Sequence, residues 1–231
     1  MSNPQGTDMT PADFVEKVAA LRMPSVFNPY ADTCSVYDRP DAPLRRQANL
    51  EQFLRAAMEA PDLSLWVGRD LGYRGGRRTG IALTDEVHLD RLCAVYSGKI
   101  KLSRATHGPP VSERTASVFW DMIGRLKGSV FTWNIFPLHP HLAGNALSNR
   151  CHTRSERKQT SEILDDLLLM LRPRQLIAIG NDAEAGLQEL GLGCLKVRHP
   201  SYGGISDFRA GVASSHDLHE PIDFTSQPNL I

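Results

Sequence analysis

Four short apolar runs set the terms for this chain: residues 63–68 (LSLWVG), 129–136 (SVFTWNIF), 175–180 (QLIAIG) and 194–198 (CLKVR). Each is continuous rather than alternating and is bounded by Gly, Pro or charge, the pattern of strands buried on both faces of a parallel sheet. Segments of helical period lie between them. Residues 44–59 place Leu50, Phe53, Leu54, Ala57 and Met58 on or near one face, and 113–126 and 156–171 repeat that spacing. Ser155 is the expected cap of the third helix, with Pro173 just past its end, and 182–190 is a shorter helix stopped by Gly191. Strands alternating with helices predict an α/β fold, a single-domain three-layer α/β/α sandwich with a central, mainly parallel four-stranded sheet. Ligands of such sheets sit at the carboxyl ends of the strands. The informative residues should therefore follow the four runs.

At 231 residues, one such domain is the expected content. Hydrophobic residues make up 41% and charged residues 23%, ordinary proportions for a globular chain. No apolar stretch approaches the roughly 18 residues of a membrane span, and the polar N-terminus lacks the build of a signal peptide, so a cytoplasmic monomer is expected. Cys34, Cys93, Cys151 and Cys194 are scattered without a CxxC pair and read as reduced thiols, not as ligands. His139 and His141 in PLHPH, even with His199, complete no recognised metal spacing; a DNA-facing loop is the better reading, and no metal is expected.

Lys plus Arg and Asp plus Glu are both 26, so nothing in the net charge announces a polyanion partner. The distribution is uneven, however. Arg69, Arg74, Arg77 and Arg78 form one cluster; Arg150, Arg154, Arg157 and Lys158 form another; Asp207, Asp217, Glu220 and Asp223 lie in the last stretch. Segregation of this kind can give a neutral protein one basic face. Residues 1–42 and 211–231 are irregular in composition and are expected to be an excursion over the domain and a tail.

The strand-end segments carry the chemistry. The first reads GRDLGYRGGRRTGIALTDE, with glycines that let backbone approach a ligand but neither GxGxxG nor GxxxxGK[ST]. The second joins Thr132-Trp133-Asn134 to Pro137, the third is IAIGNDAEAGLQELG, and the fourth carries Arg198-His199-Pro200-Ser201. In this order the segments resemble the motifs of the uracil-DNA glycosylase superfamily: GEAPGYRG with its SGxPFT trailer, the (T/W)N…P segment, LGxxAxxxL and HPS. The resemblance spans about 63–210. Arg69 stands where many relatives carry Glu or Gln, Leu71 replaces a proline, and Leu83 falls where a phenylalanine usually stacks on the base. With the iron–sulfur cysteines missing, the resemblance implies a divergent branch without that cluster and no cofactor. Asn28-Pro29-Tyr30 mimics the first motif, but no strand-like run ending in Gly precedes it.

The resemblance implies an enzyme that flips uracil or another deaminated base out of DNA and hydrolyses the N-glycosidic bond to leave an abasic site. Asp70 and His199 are then the catalytic pair. Asp70 would orient water and stabilise the cationic sugar; His199 would donate to the oxyanion growing on the departing base. Gly68, Arg69, Gly72, Tyr73, Leu83 and Asn134 would form the base pocket, Asn134 reading the base edge with one donor and one acceptor. Arg150, Arg154, Arg157, Ser201, Tyr202 and Gly203 would meet the DNA, with Tyr202 or Ile205 filling the gap left by the base. Two alternatives stay open. One is a catalytically weak damaged-DNA-binding protein of the same fold; the other is a nucleotide-binding α/β enzyme built on GRDLGYRGG or GNDAEAG.

Overall fold

The four apolar runs form one parallel sheet. In the computed structural model, which describes residues 9–216, they are β2 (Ser64–Gly68), β3 (Val130–Asn134), β5 (Gln175–Ile179) and β6 (Leu195–Val197), laid side by side in the order β3-β2-β5-β6. The remaining strands, β1 (Val26–Phe27) and β4 (His139–Pro140), make a separate antiparallel pair. The helices are α1 (Pro11–Ala19), α2 (Ala42–Met58), α3 (Gly76–Thr79), α4 (Leu89–Val95), α5 (Arg114–Ile123), α6 (Arg154–Gln159), α7 (Ser161–Leu171), α8 (Asn181–Glu189) and α9 (Ile205–Ser215).

Register fixes which side chains share a face. Leu65 pairs with Phe131 and Trp66 with Thr132, so the pleat sends Leu65 and Phe131 one way and Trp66 the other. On the first face Phe131 stacks on Phe53 of α2 at 4.1 Å, and Trp133 meets Phe14 of α1 at 5.6 Å. On the second, Trp66 meets Phe208 of α9 at 6.0 Å, and Phe208 meets Phe119 of α5 at 5.1 Å. These aromatic contacts are the core of an α/β/α sandwich, which is the predicted architecture.

Three local readings are corrected. Residues 11–19 are a capped helix, not an irregular excursion. Thr10 accepts from the Asp13 amide while the Asp13 carboxylate accepts from the Thr10 amide, and Phe14, Val15 and Val18 are buried. The helix expected over 156–171 is two helices, interrupted at Thr160. Its cap is Thr153, in a reciprocal box with Glu156, rather than Ser155. Thr160 is buried and donates its hydroxyl to the Arg157 carbonyl, which competes with continuation of the helix. At the other end, α9 carries the folded core past residue 210, burying Phe208 and Val212. Asp217, Glu220 and Asp223 lie outside the described residues.

The basic face predicted from the first arginine cluster is also corrected. Arg77 and Arg78 are buried, the first with its guanidinium 3.9 Å over the Phe27 ring, the second paired with Glu86 at 2.9 Å and 4.0 Å over Tyr37. A guanidinium without a partner would not remain inside, so these charges hold the loop after β2 onto the domain. Asn28-Pro29-Tyr30 is structural: the buried Asn28 amide donates to the carbonyls of Val18 and Leu21 at 2.8 and 3.1 Å, closing the chain after α1.

No helix among the described residues is long and apolar enough to cross a membrane. Nor, among them, do three or more His, Cys, Asp or Glu side chains group so as to hold a metal ion.

Candidate active site

The carboxyl ends of the strands carry the polar groups singled out by the sequence. Gly68 ends β2 directly opposite Asn134 at the end of β3. The two strand ends stay joined beyond the ladder, where the Ile135 and Phe136 amides donate to the Gly68 and Arg69 carbonyls at 2.9 and 3.0 Å. A side chain at 68 would collide with its neighbours: a Cβ there would lie 2.5 Å from Asn134 Oδ1 and 3.0 Å from Leu83 Cδ2. Any larger residue at 68 would displace the Asn134 side chain. Leu83 reaches this place from a left-handed turn, at φ 57°. Asn134 is only 1% exposed, and neither its Oδ1 nor its Nδ2 finds a hydrogen-bond partner among the described residues. Buried amides normally are paired; this one is held ready by its strand with both functions uncommitted.

Asp70 follows one peptide beyond Arg69. One of its oxygens, Oδ2, accepts from Arg69 Nε at 3.0 Å and from the amide and Nδ1 of His152, each at 3.3 Å. Its other oxygen has no hydrogen-bond partner among the described residues. Arg69 also reaches Asp182 at the start of α8, at 3.0 Å, and is 37% exposed.

His199 lies beyond β6, with its Cβ 3.3 Å from where a Gly180 side chain would begin, at the end of β5. The Ser201 amide donates to His199 Nδ1 at 3.2 Å. An amide can only donate, so Nδ1 is the acceptor, the Ser201 hydroxyl at 2.8 Å donates to it as well, and Nε2 carries the proton in the neutral ring. Burial first, and the neighbouring Arg69 cation second, hold the imidazole pKa below its ordinary value. The result is a neutral N–H donor, braced edge-on against Phe119 at 5.7 Å.

Other predicted residues are placed differently. Ser201 spends its single hydroxyl proton on His199, so it supports the imidazole and is not free to donate to phosphate. Gly72 faces the Glu113 carboxylate, 3.5 Å from where its Cβ would be. The Tyr73 amide donates to Asn149 Oδ1 at 3.0 Å. Arg150 uses all five of its N–H donors internally, on the carbonyls of His141, Cys151 and Ser25 and on both Glu156 oxygens, and none is left for DNA. Arg157 pairs with Glu189, whereas Arg154 is 84% exposed and only 3.7 Å at best from the same carboxylate. Tyr202 is 98% exposed at φ 51°, followed by Gly203 at φ 77°. Ile205, by contrast, packs on the core.

His139 is not on an exposed loop. It is buried, accepts from Arg77 at Nδ1 (3.2 Å) and donates from Nε2 to Asn149 (3.2 Å). Three residues that sequence reasoning passed over, Glu113, Asn149 and His152, all touch the first motif. Burial, with the nearby Asp85 carboxylate adding to it, raises the Glu113 pKa. Asn149 and His152 flank the arginine that drew the eye to that loop, and the loop's density of polar side chains was the available signal.

No curated protein matches the sequence. Among solved structures, the crystal structure of wild-type Pedobacter heparinus SMUG2 is similar to this chain, with a TM-score of 0.60 and 17% identity over 91% of this chain and 97% of that one, a likeness of fold. The family model of the Uracil DNA glycosylase superfamily matches residues 65–209, more than half of the chain and enough to include Asp70, Asn134 and His199. The chain belongs to the uracil DNA glycosylase superfamily.

Proposed function

We propose that this protein excises uracil from DNA as a monofunctional glycosylase, leaving an abasic site. The observation that carries the reading is the Asn134 amide, buried at a strand end with donor and acceptor both uncommitted beside Gly68 and Leu83. One amide with Oδ1 on the N3–H and Nδ2 on O4 meets uracil, whereas cytosine's lone pair and amino group need the amide turned over, so the selectivity rests on that orientation.

Breaking the glycosidic bond sends its electron pair into the base and leaves the sugar as an oxocarbenium-like cation. The Asp70 carboxylate suits the sugar side, with one oxygen tied by Arg69 and His152 and the other able to accept a proton from water as the water oxygen bonds to the sugar carbon. His199 suits the base side, where its neutral Nε2–H stabilises the new oxyanion without delivering a full proton. Flipping the base costs a few kcal/mol. Tyr202, a fully exposed aromatic, suits filling the resulting gap, and Arg154 has donors to offer a phosphate.

The test is single-turnover excision from a uracil-containing oligonucleotide, read as alkali-sensitive strand scission. Asp70→Asn and His199→Ala are each expected to lower the rate at least about tenfold. Near-normal rates in both variants would remove the assignment.

A further inference from the structure

We infer that His152 is a positioning residue for the Asp70 carboxylate, an inference that rests on the glycosylase reading and extends its site. A carboxylate only accepts, so the Nδ1 of His152 at 3.3 Å from Oδ2 is a protonated donor, and the His152 amide adds a second donor to the same oxygen. All three bonds to the carboxylate fall on Oδ2, which orients Oδ1 and leaves it to meet water. The third donor, Arg69 Nε, belongs to a half-exposed side chain shared with Asp182 and cannot by itself stop the carboxylate from turning.

The imidazole is well braced for this work. Its side chain is 4% exposed and stacks on Phe136 at 5.3 Å and 30°. Phe136 is itself bonded to the Arg69 carbonyl. The backbone on either side of His152 is pinned as well, by the five-donor Arg150 before it and by the Thr153–Glu156 capping box after it. Water attack depends on alignment, and small misplacements of a catalytic group cost up to about a hundredfold in rate. His152 thus reaches the reaction through Asp70 and not through the substrate.

The experiment compares His152→Leu, which removes the donor, with His152→Asn, whose amide nitrogen falls near the place of Nδ1. Three quantities are read: the single-turnover excision rate, the Kd for a uracil oligonucleotide made uncleavable by a 2′-fluorine on the sugar, and the melting midpoint. His152→Leu is expected to slow excision about 10- to 100-fold while Kd stays within about twofold, and His152→Asn to recover most of the rate. If His152→Leu melts early, His152→Gln takes its place. It carries the donor one bond farther out, so it should be slow where His152→Asn is fast. The inference is overturned if the donorless variant keeps the wild-type rate, if Kd weakens in step with the rate, or if His152→Asn is as slow as His152→Leu. A wild-type protein that leaves uracil DNA intact would instead remove the glycosylase reading, and this inference with it.

Discussion

His139 shows how much a single residue's place alters its meaning. Desolvation first, and the Arg77 cation second, push its pKa down to about 4, so the folded protein keeps it neutral where an unfolded chain would protonate it near pH 6.5. Between those values the unfolded state binds the extra proton. Stability is therefore present above pH 6.5 and falls as pH drops toward about 4, by at most about 1.4 kcal/mol per unit. His139→Gln can keep one acceptor and one donor while losing the titration. Its urea midpoint should decline less than wild type between pH 7 and pH 5, and an equal decline in both proteins would contradict this. His199 shifts in the same direction, so the variant removes only part of the slope. In the sequence, Asp70, Asn134 and His199 could be picked out because each lies at or just past the end of a recognisable strand. His152 could not, because its partner lies 82 positions away and nothing local records the contact. Glu113 was hidden for the same reason, opposite two glycines on another segment.

At the scale of elements, the loop into α6 divides the labour among arginines that look alike in the sequence. Arg150 is a brace. Its pairing with Glu156 holds that carboxyl at about 2 and closes the loop on β4 and on the segment before β1. Arg150→Ala should cost about 2 kcal/mol of stability, while the salt dependence of DNA binding stays as in wild type. Arg154→Ala should do the reverse, with stability unchanged within about 0.5 kcal/mol and the slope of log K against log salt reduced by about one. Denaturant melts and binding isotherms at several salt concentrations separate the two. The four strands of the sheet were legible to within two residues because continuous apolar runs have few other uses. The break at Thr160 was less so, since α6 (RSERKQ) carries no apolar residue whose period could mark where one helix ends and the next begins. The T-x-x-E box at 153–156 was the sharper signal for where helix begins.

Across the whole molecule, residues near the N-terminus reach the candidate site through the core. Phe14 of α1 lies against Trp133, the residue before Asn134. Phe14→Ala should cost about 3–5 kcal/mol, measured by calorimetry or denaturant, with weaker binding of uracil DNA in whatever fraction stays folded. The local pattern did carry a signal there, a Thr10–Asp13 box followed by Phe14, Val15 and Val18 at helical spacing, and reading residues 1–42 by their irregular composition missed it. The first arginine cluster misled in a related way: Arg77 and Arg78 are interior, so they offer no donors to a polyanion at the surface. Finally, the pairing of Gly68 with Asn134 ties the histories of two positions together. Because the Asn134 amide occupies the volume that any larger residue at 68 would need, position 68 cannot grow while Asn134 keeps its place. A lineage or a designer seeking a new base preference must first retract the side chain on β3 before β2 can present one of its own.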